Sequence, residues 1–255
     1  MEARKILIHQ AIKFVGNWNA FYNEIKYCKT KFTPKEIEDI KKQNVQAVTI
    51  IDREYPDELK CLSKPPFVLF YKGDLSLLKN RDRKIAIVGA RSATAYGLEA
   101  VDDLVAGLKP DTIVISGLAK GIDAQAHKSA LKNNFKTIAV LGSGIDYCYP
   151  KSNENLYNEI LDNGGLILSE YPFDTQPDKD YFLERNRIIA ALASCILLAE
   201  SFNQSGALST TLHGLNLGKN IACIPYLIGR GSNCNRLIKE GAYLIENSED
   251  LNELY

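Results

Sequence analysis

Several things are missing from this 255-residue chain, and each absence removes a class of function. No apolar run reaches the roughly 18 residues that would mark a membrane-spanning helix, and Met1-Glu2-Ala3-Arg4-Lys5 leads into no signal-peptide core. These two absences predict a soluble cytoplasmic protein with no membrane partner. Histidine occurs only three times, and the six cysteines (28, 61, 148, 195, 223 and 234) are scattered without a Cys-x-x-Cys pair. Neither a disulfide framework nor a zinc site fits that spacing, so reduced thiols, no metal and no cofactor are expected. Net charge is also lacking, because 31 basic residues balance 31 acidic ones. The balance is uneven along the chain, with 17 Lys and Arg against 11 Asp and Glu in residues 1–84, then 14 against 20 in residues 85–255. A nucleic-acid site would have to be a local groove, since a broadly basic surface is excluded.

Two nucleotide fingerprints are missing as well. A dinucleotide site needs Gly-x-Gly-x-x-Gly directly after a strand. Gly89 is followed by Ala-Arg-Ser, Gly117 by Leu-Ala-Lys-Gly, and Gly142-Ser-Gly144 reaches Tyr147 where the third glycine belongs. The phosphate loop Gly-x-x-x-x-Gly-Lys-Ser/Thr does not occur.

What is present is a clear alternation. A polar stretch at 79–84, KNRDRK, separates two regions. Before it, 3–15 and 19–29 read as short helices, and a third helix starts at Thr33-Pro34-Lys35-Glu36 with a capping box. VQAVTII and PPFVLFYKG read as strands, with YPDELK as a short helix between them. Beyond the link, near-continuous apolar strands are predicted at 84–89, 112–116, 136–142, 165–170, 195–200 and 220–225. Helices are predicted around 96–108, 122–132, 153–163, 186–193, 206–217 and 233–240. Apolar strands joined by helical crossovers make a parallel sheet buried on both faces. The expected fold class is therefore α/β, an extended Rossmann-like, mostly parallel sheet covered by helices on both faces, with a small mixed α/β amino-terminal region. The expected division is a short helical region over 1–43 and one domain over 44–255, its core beginning near 84. The chain stops at Tyr255, and no carboxyl-terminal winged helix is expected.

Ligands of such sheets bind at the carboxyl ends of the strands. Those ends carry Gly89-Ala90-Arg91-Ser92, Ser116-Gly117, Gly142-Ser143-Gly144, Ser169-Glu170, Glu200-Ser201 and Pro225. Arg91, Lys120 and Lys151 place cations there; each alone reads more readily as a solvated surface charge, but together on one sheet edge they point to a phosphate-binding row. Ser205-Gly206 opens a further helix whose amino end suits phosphate. The stretch KDYFLERNRIIAALA sets Phe182 among Lys179, Arg185 and Arg187. A flat ring beside cations suits single-stranded nucleic acid, where bases stack while cations follow the backbone. The same ring could equally plug the sheet edge, with Arg187 paired to a carboxylate. Arg185 and Arg187 cannot both face one ligand on a regular helix, but Asn186 as N-cap would leave Arg185 outside it. In SGLAKGIDAQAH, Asp123 and His127 lie one turn apart and read as the brace of the Gly117–Gly121 turn.

These motifs together resemble the DNA-processing protein A (DprA/Smf) family, from about residue 44 to 246. The resemblance rests on YPDELK, PPFVLFYKG, IAIVGAR, VISGLAKGIDAQAH, TIAVLGSGID, GLILSEYP, FLERNRIIAALA, SGALSTT and NRLIKEGA. It implies a non-enzymatic, dimeric, single-stranded-DNA-binding protein that protects incoming DNA and helps load the RecA recombinase during natural transformation. By motif position the pocket would use Arg91, Lys179, Phe182 and one of Arg185 or Arg187. The apolar part of residues 235–245, with Leu237, Ile238 and Tyr243, is the expected dimer interface, although core packing explains it equally well. The chain departs from the family where Pro-Gly usually follows the last core strand, which here reads Pro225-Tyr226. The rival reading is a nucleotide or nucleoside-phosphate hydrolase on a related scaffold, using Asp123–His127 or Glu200. It meets an obstacle, because Ser205-Gly206-Ala207-Leu208-Ser209-Thr210 lacks the carboxylate that follows the comparable glycine loop of phosphoribohydrolases.

Overall fold

The computed structural model describes residues 3–27, 32–42, 44–79, 83–202 and 205–255, so Cys28 and the middle of the 79–84 link lie outside it. The apolar runs form one sheet: β1 (Ala47–Thr49), β2 (Val68–Gly73), β3 (Lys84–Gly89), β4 (Ile113–Ser116), β5 (Lys136–Gly144), β6 (Leu166–Tyr171), β7 (Cys195–Glu200), β8 (Asn220–Cys223) and β9 (Tyr243–Leu244). Its spatial order is β1-β2-β6-β5-β4-β3-β7-β8-β9. All neighbours from β6 to β9 are parallel, while β1–β2 and β2–β6 are antiparallel. The Rossmann-like α/β expectation holds.

Side chains alternate between the two faces, as the period of a strand requires. Ala86 and Val88 of β3 and Ile196 and Leu198 of β7 enter one core cluster, and Ile85, Ile87, Cys195 and Leu197 enter the other. The first face is covered by α8 (Lys179–Leu192), α9 (Ala207–Asn216) and α10 (Asn233–Lys239). The second is covered by α5 (Ala95–Ala106) and α6 (Ile122–Lys132).

The strands before the link belong to the same sheet. β1 and β2 extend the main sheet through β6. Against that edge pack α1 (Ala3–Lys13), α2 (Trp18–Lys26) and α3 (Pro34–Lys42). Ile8 and Phe21 share a core with Val68, Phe70 and Ile167, and Trp18 stacks on Phe67. The capping box of α3 forms as expected, Thr33 N–H donating to Glu36 and Glu36 N–H to the Thr33 hydroxyl.

The largest boundary difference is α8, which begins at Lys179, where a start at Asn186 was expected. Its N-cap is Asp178, whose side chain accepts from Asp180 N–H. The apolar periodicity that marks a helix starts only at Ile188, because Tyr181, Phe182 and Leu183 in the first turns are contiguous and carry no helical period. Two small elements at the carboxyl end, β9 and α11 (Ser248–Asn252), were also not anticipated.

Candidate nucleic-acid interface

The strand order places the site. The chain builds outward from β3 through β4, β5 and β6, then returns to lay β7 on the other side of β3. At such a reversal the loops beyond two adjacent strands diverge and leave a crevice. The loops after β3 and β7 here border a cleft of about 1060 Å3, lined among others by Gly89, Arg91, Lys179, Phe182, Arg185 and Ser205. Helix α8 supplies one wall. Lys179, Phe182, Asn186 and Ile189 follow one another at three- and four-residue spacing and all line the cleft.

Glycines allow the elements to approach this closely. A Cβ on Gly142 would lie 2.5 Å from Cδ1 of Phe182, so the ring rests on bare backbone of β5. Gly121 has a φ of +73°, and a Cβ there would meet the Ala90 carbonyl oxygen at 2.2 Å. The ring of Phe182 is half-buried, with Tyr149 tilted beside it at 5.6 Å. The guanidinium of Arg91 stands over it at 5.3 Å. Arg91, Lys120 and Lys179 are exposed, and none of the three is held in an ion pair among the described residues. Lys120 lies in an adjoining recess of about 220 Å3 with Gly117, Tyr149 and Phe182. Asp178 is the acidic member of the rim.

Arg185 reaches the cleft from below. It is 4% exposed and donates to the carbonyls of Gly117 (2.8 Å) and Val140, and through Nε to Asn186. It thereby joins α8 to the end of β4 and to the middle of β5. Burial pulls its pKa down to about 10, opposed by the Asp123 carboxylate. Burial pushes the Asp123 carboxyl above its ordinary value, and the positive charge of Arg185 works against that. Asp123 accepts from Gly117 N–H at 3.1 Å and from Ala119 N–H. Asn153 donates to the carbonyls of Leu118 and Ala119. The two hold Leu118 at a φ of +55°, in the left-handed region that an L residue adopts only under constraint.

Some expected residues are elsewhere. Arg187 points to the far side of α8, where its Nη2 lies 2.8 Å from both oxygens of the Glu170 carboxylate. Two residues along a helix turn the side chain through the backbone, so Arg185 and Arg187 serve different sites. Ser116 is fully buried and its hydroxyl donates to the Ile87 carbonyl, and Lys151 does not line the cleft. His127 is no part of the turn brace. Its Nδ1 meets the Thr137 hydroxyl at 2.6 Å, and that hydroxyl donates to the Val114 carbonyl, which makes His127 the donor. Burial, then Arg185, pulls its pKa down to about 3, so the imidazole is neutral. Leu237 belongs to the core at 9% exposure, with Ile238 packed beside it, and only Tyr243 of that trio is exposed. Backbone N–H groups at these turns are engaged within the protein, Ala90 N–H by the Glu200 carbonyl and Gly144 N–H by the Thr175 carbonyl. Contact with an anion therefore falls mainly to side chains.

The acid/base pair of the hydrolase reading is not assembled, since Asp123 and His127 bind different partners. Glu200 is 1% exposed and latches the turn after β3, accepting from Thr94 N–H at 3.1 Å and from the Thr94 hydroxyl. Gly97 closes over that carboxylate. Sequence reading missed Tyr149, Asn186 and Phe202 as wall residues. Asn186 donates to the Gly206 carbonyl and so fixes the start of α9 against α8. Among the described residues no group of three or more His, Cys, Asp or Glu is placed to hold a metal ion, and no helix is long and apolar enough to cross a membrane.

Residues 46–255 match the sequence profile of DNA recombination-mediator protein A. This chain belongs to that family. The DNA processing protein DprA of Streptococcus pneumoniae is 41% identical over 211 residues, covering 82% of this chain and 74% of the relative. That of Bacillus subtilis is 34% identical over 237 residues, covering 92% and 79%. Among solved structures, DprA from Streptococcus pneumoniae superimposes with a TM-score of 0.85 at 34% identity, covering 100% of this chain and 99% of that one. DprA from Helicobacter pylori, described for its single-stranded DNA binding mode, gives 0.74 at 31% identity, covering 82% and 95%. Within the DNA recombination-mediator protein A match lie every strand wall of the cleft and the whole of α8. The helices α1, α2 and α3 precede it.

Proposed function

We propose that the cleft binds single-stranded DNA without cutting it, and that the protein protects such strands and passes them to a RecA-type recombinase during natural transformation. The observation that carries the reading is the Phe182 ring, seated on Gly142 at the strand ends with Arg91 over it and Lys179 one turn away. A base needs a flat apolar partner, and a phosphate needs a cation near that base; this wall offers both. The Arg91 guanidinium occupies the stacking position itself. An arriving base exchanges with it on the ring, and the released guanidinium is left to meet a phosphate. Arg185 and Asp123 hold the floor and make no DNA contact in this scheme. Transfer of the strand to a recombinase needs a bound, uncut strand, which suits a site whose carboxylates are occupied in turns. A dimer would set two such clefts along one strand, with the edge strand β9 around Tyr243 the exposed part of the expected interface.

Fluorescence anisotropy with a labelled oligothymidylate tests the reading. Phe182→Ala should weaken binding by about 5- to 150-fold, the loss of one stacked base at about 1–3 kcal/mol. Arg91→Ala and Lys179→Ala should each weaken it while leaving the circular dichroism spectrum unchanged. With Arg91, Lys179 and the neighbouring Lys120 engaged, log K against log salt should fall with a slope of about −2. Full affinity in the triple variant overturns the assignment.

A further inference from the structure

The loop beyond β8 carries aromatic and apolar residues that the cleft does not account for. Tyr226 stands edge-to-face between two other rings, 5.0 Å from Phe202 and 5.5 Å from Tyr96. Phe202 lines the cleft, whereas Tyr96 and Tyr226 line a separate hollow of about 680 Å3 together with Leu227, Ile228 and Arg230. The three rings thus lead without a break out of the cleft on the side away from β5.

This path is held in place. Asn235 clamps Tyr226 from both sides, accepting from its N–H at 2.8 Å and donating to its carbonyl at 2.7 Å. The Tyr96 hydroxyl donates to the Pro225 carbonyl, and Phe202 forms a bridge to Ser232 on the returning arm of the loop. Rings that served only as packing would be covered by the fold. Tyr96 is 46% exposed, Leu227 66% and Ile228 100%.

We propose that Phe202, Tyr226 and Tyr96, with Arg230, form a second stacking subsite for single-stranded DNA, engaged by the bases that leave the cleft. The inference rests on the cleft being the DNA site. It repeats the same chemistry, partly exposed rings with a guanidinium lining the same hollow, in continuity with the first wall. Stacking on these rings is tolerant of sequence, because every base has a face. Leu227 and Ile228 give an apolar flank to a base lying on Tyr226.

The test compares oligothymidylates of about four and about twenty nucleotides, lengths that bracket the ordinary site size of one binding fold. The intact protein is measured beside Phe182→Ala, Arg230→Ala, Tyr226→Leu and the Tyr226→Leu/Arg230→Ala pair. Leucine keeps an apolar side chain and the Asn235 clamp on the backbone while removing the ring. The expected result is that the pair weakens the long oligonucleotide at least about fivefold and leaves the short one within twofold, while Phe182→Ala weakens both. Equal binding of the long oligonucleotide by the pair and the intact protein overturns the subsite, with the cleft reading standing if Phe182→Ala still weakens both. Equal loss for both lengths also overturns it, because Tyr226 would then act within the first site. If Phe182→Ala has no effect on either length, the cleft reading fails and takes the subsite with it. Sedimentation of Ile228→Lys covers the remaining occupant: a dimer lost with long-strand affinity kept would assign the loop to a second copy of the chain and overturn the proposal.

Discussion

Replacing Arg185 by methionine separates its two possible roles most sharply. The side chain is buried, and its guanidinium serves the carbonyls of Gly117 and Val140, the Asn186 amide and the field of Asp123. Methionine fills most of the volume but donates nothing. Two backbone carbonyls lose a charged donor, and a buried Asp123 loses its compensating charge. Removing one member of a buried charged network costs about 3–5 kcal/mol, and hydrogen bonds to charged groups contribute about 1.5–3 kcal/mol each. A loss of about 4 kcal/mol is expected, which for a chain of this size lowers the melting temperature by about 10 °C. Urea unfolding of the intact protein, Arg185→Met, Asp123→Asn and the double variant measures it. The double variant should be more stable than the sum of the single losses predicts, because removing both partners leaves no orphaned charge. Arg185→Met with unchanged stability but abolished DNA binding would refute the reasoning and make Arg185 a DNA ligand.

Other consequences follow from the same contacts. His127 is buried and neutral with a pKa near 3, below its ordinary 6.5. The unfolded chain therefore takes up a proton that the folded one refuses, and stability falls as pH drops from 6.5 toward 3. Between pH 6.5 and 5 this amounts to about 2 kcal/mol. His127→Gln should flatten that part of the pH–stability curve, and an unchanged slope by urea unfolding would contradict the assignment. Gly142→Ala drives a methyl group into Phe182, so strand affinity should drop about as far as in Phe182→Ala, at a stability cost of about 1–3 kcal/mol; normal affinity by anisotropy would show that the ring's seat does not matter. Glu200→Gln should keep strand binding, because the carboxylate serves Thr94, and should release no free base from nucleoside monophosphates any more than the intact protein does; turnover that depends on Glu200 would favour the hydrolase reading.

The parallel core was readable because its strands are nearly continuous apolar runs bounded by glycine, a pattern that only burial on both faces explains. CILLAE became β7 without change of boundary. The first two turns of α8 were not readable, since Lys179 to Arg185 carry no apolar period and are placed by tertiary contacts with Gly117, Val140 and Gly142. That Phe182 and cations belong together was visible in the sequence, but which arginine faces the cleft was not. It depends on helical phase, and the phase was hidden by the misplaced helix start. The brace of the Gly117 turn was half visible. Asp123 sits where a short carboxylate near a helix start reaches back, whereas the partner of His127 lies on β5 and no local spacing reveals it. Occupation of turn N–H groups by distant carbonyls, such as Glu200 against Ala90, is likewise a property of the assembled sheet. That β2 pairs with β6 was not readable, because antiparallel pairing between distant segments leaves no mark in either of them.

The central claim is that a strand lies in the cleft at the β3–β7 switch, and a crystal structure of the protein with a short oligothymidylate tests it most directly. In it one base should lie on the Phe182 ring, with the Arg91 guanidinium moved from that ring toward a phosphate and Lys179 beside the next phosphate. An oligonucleotide found instead against the basic amino-terminal helices, with Arg91 still over Phe182, would contradict it.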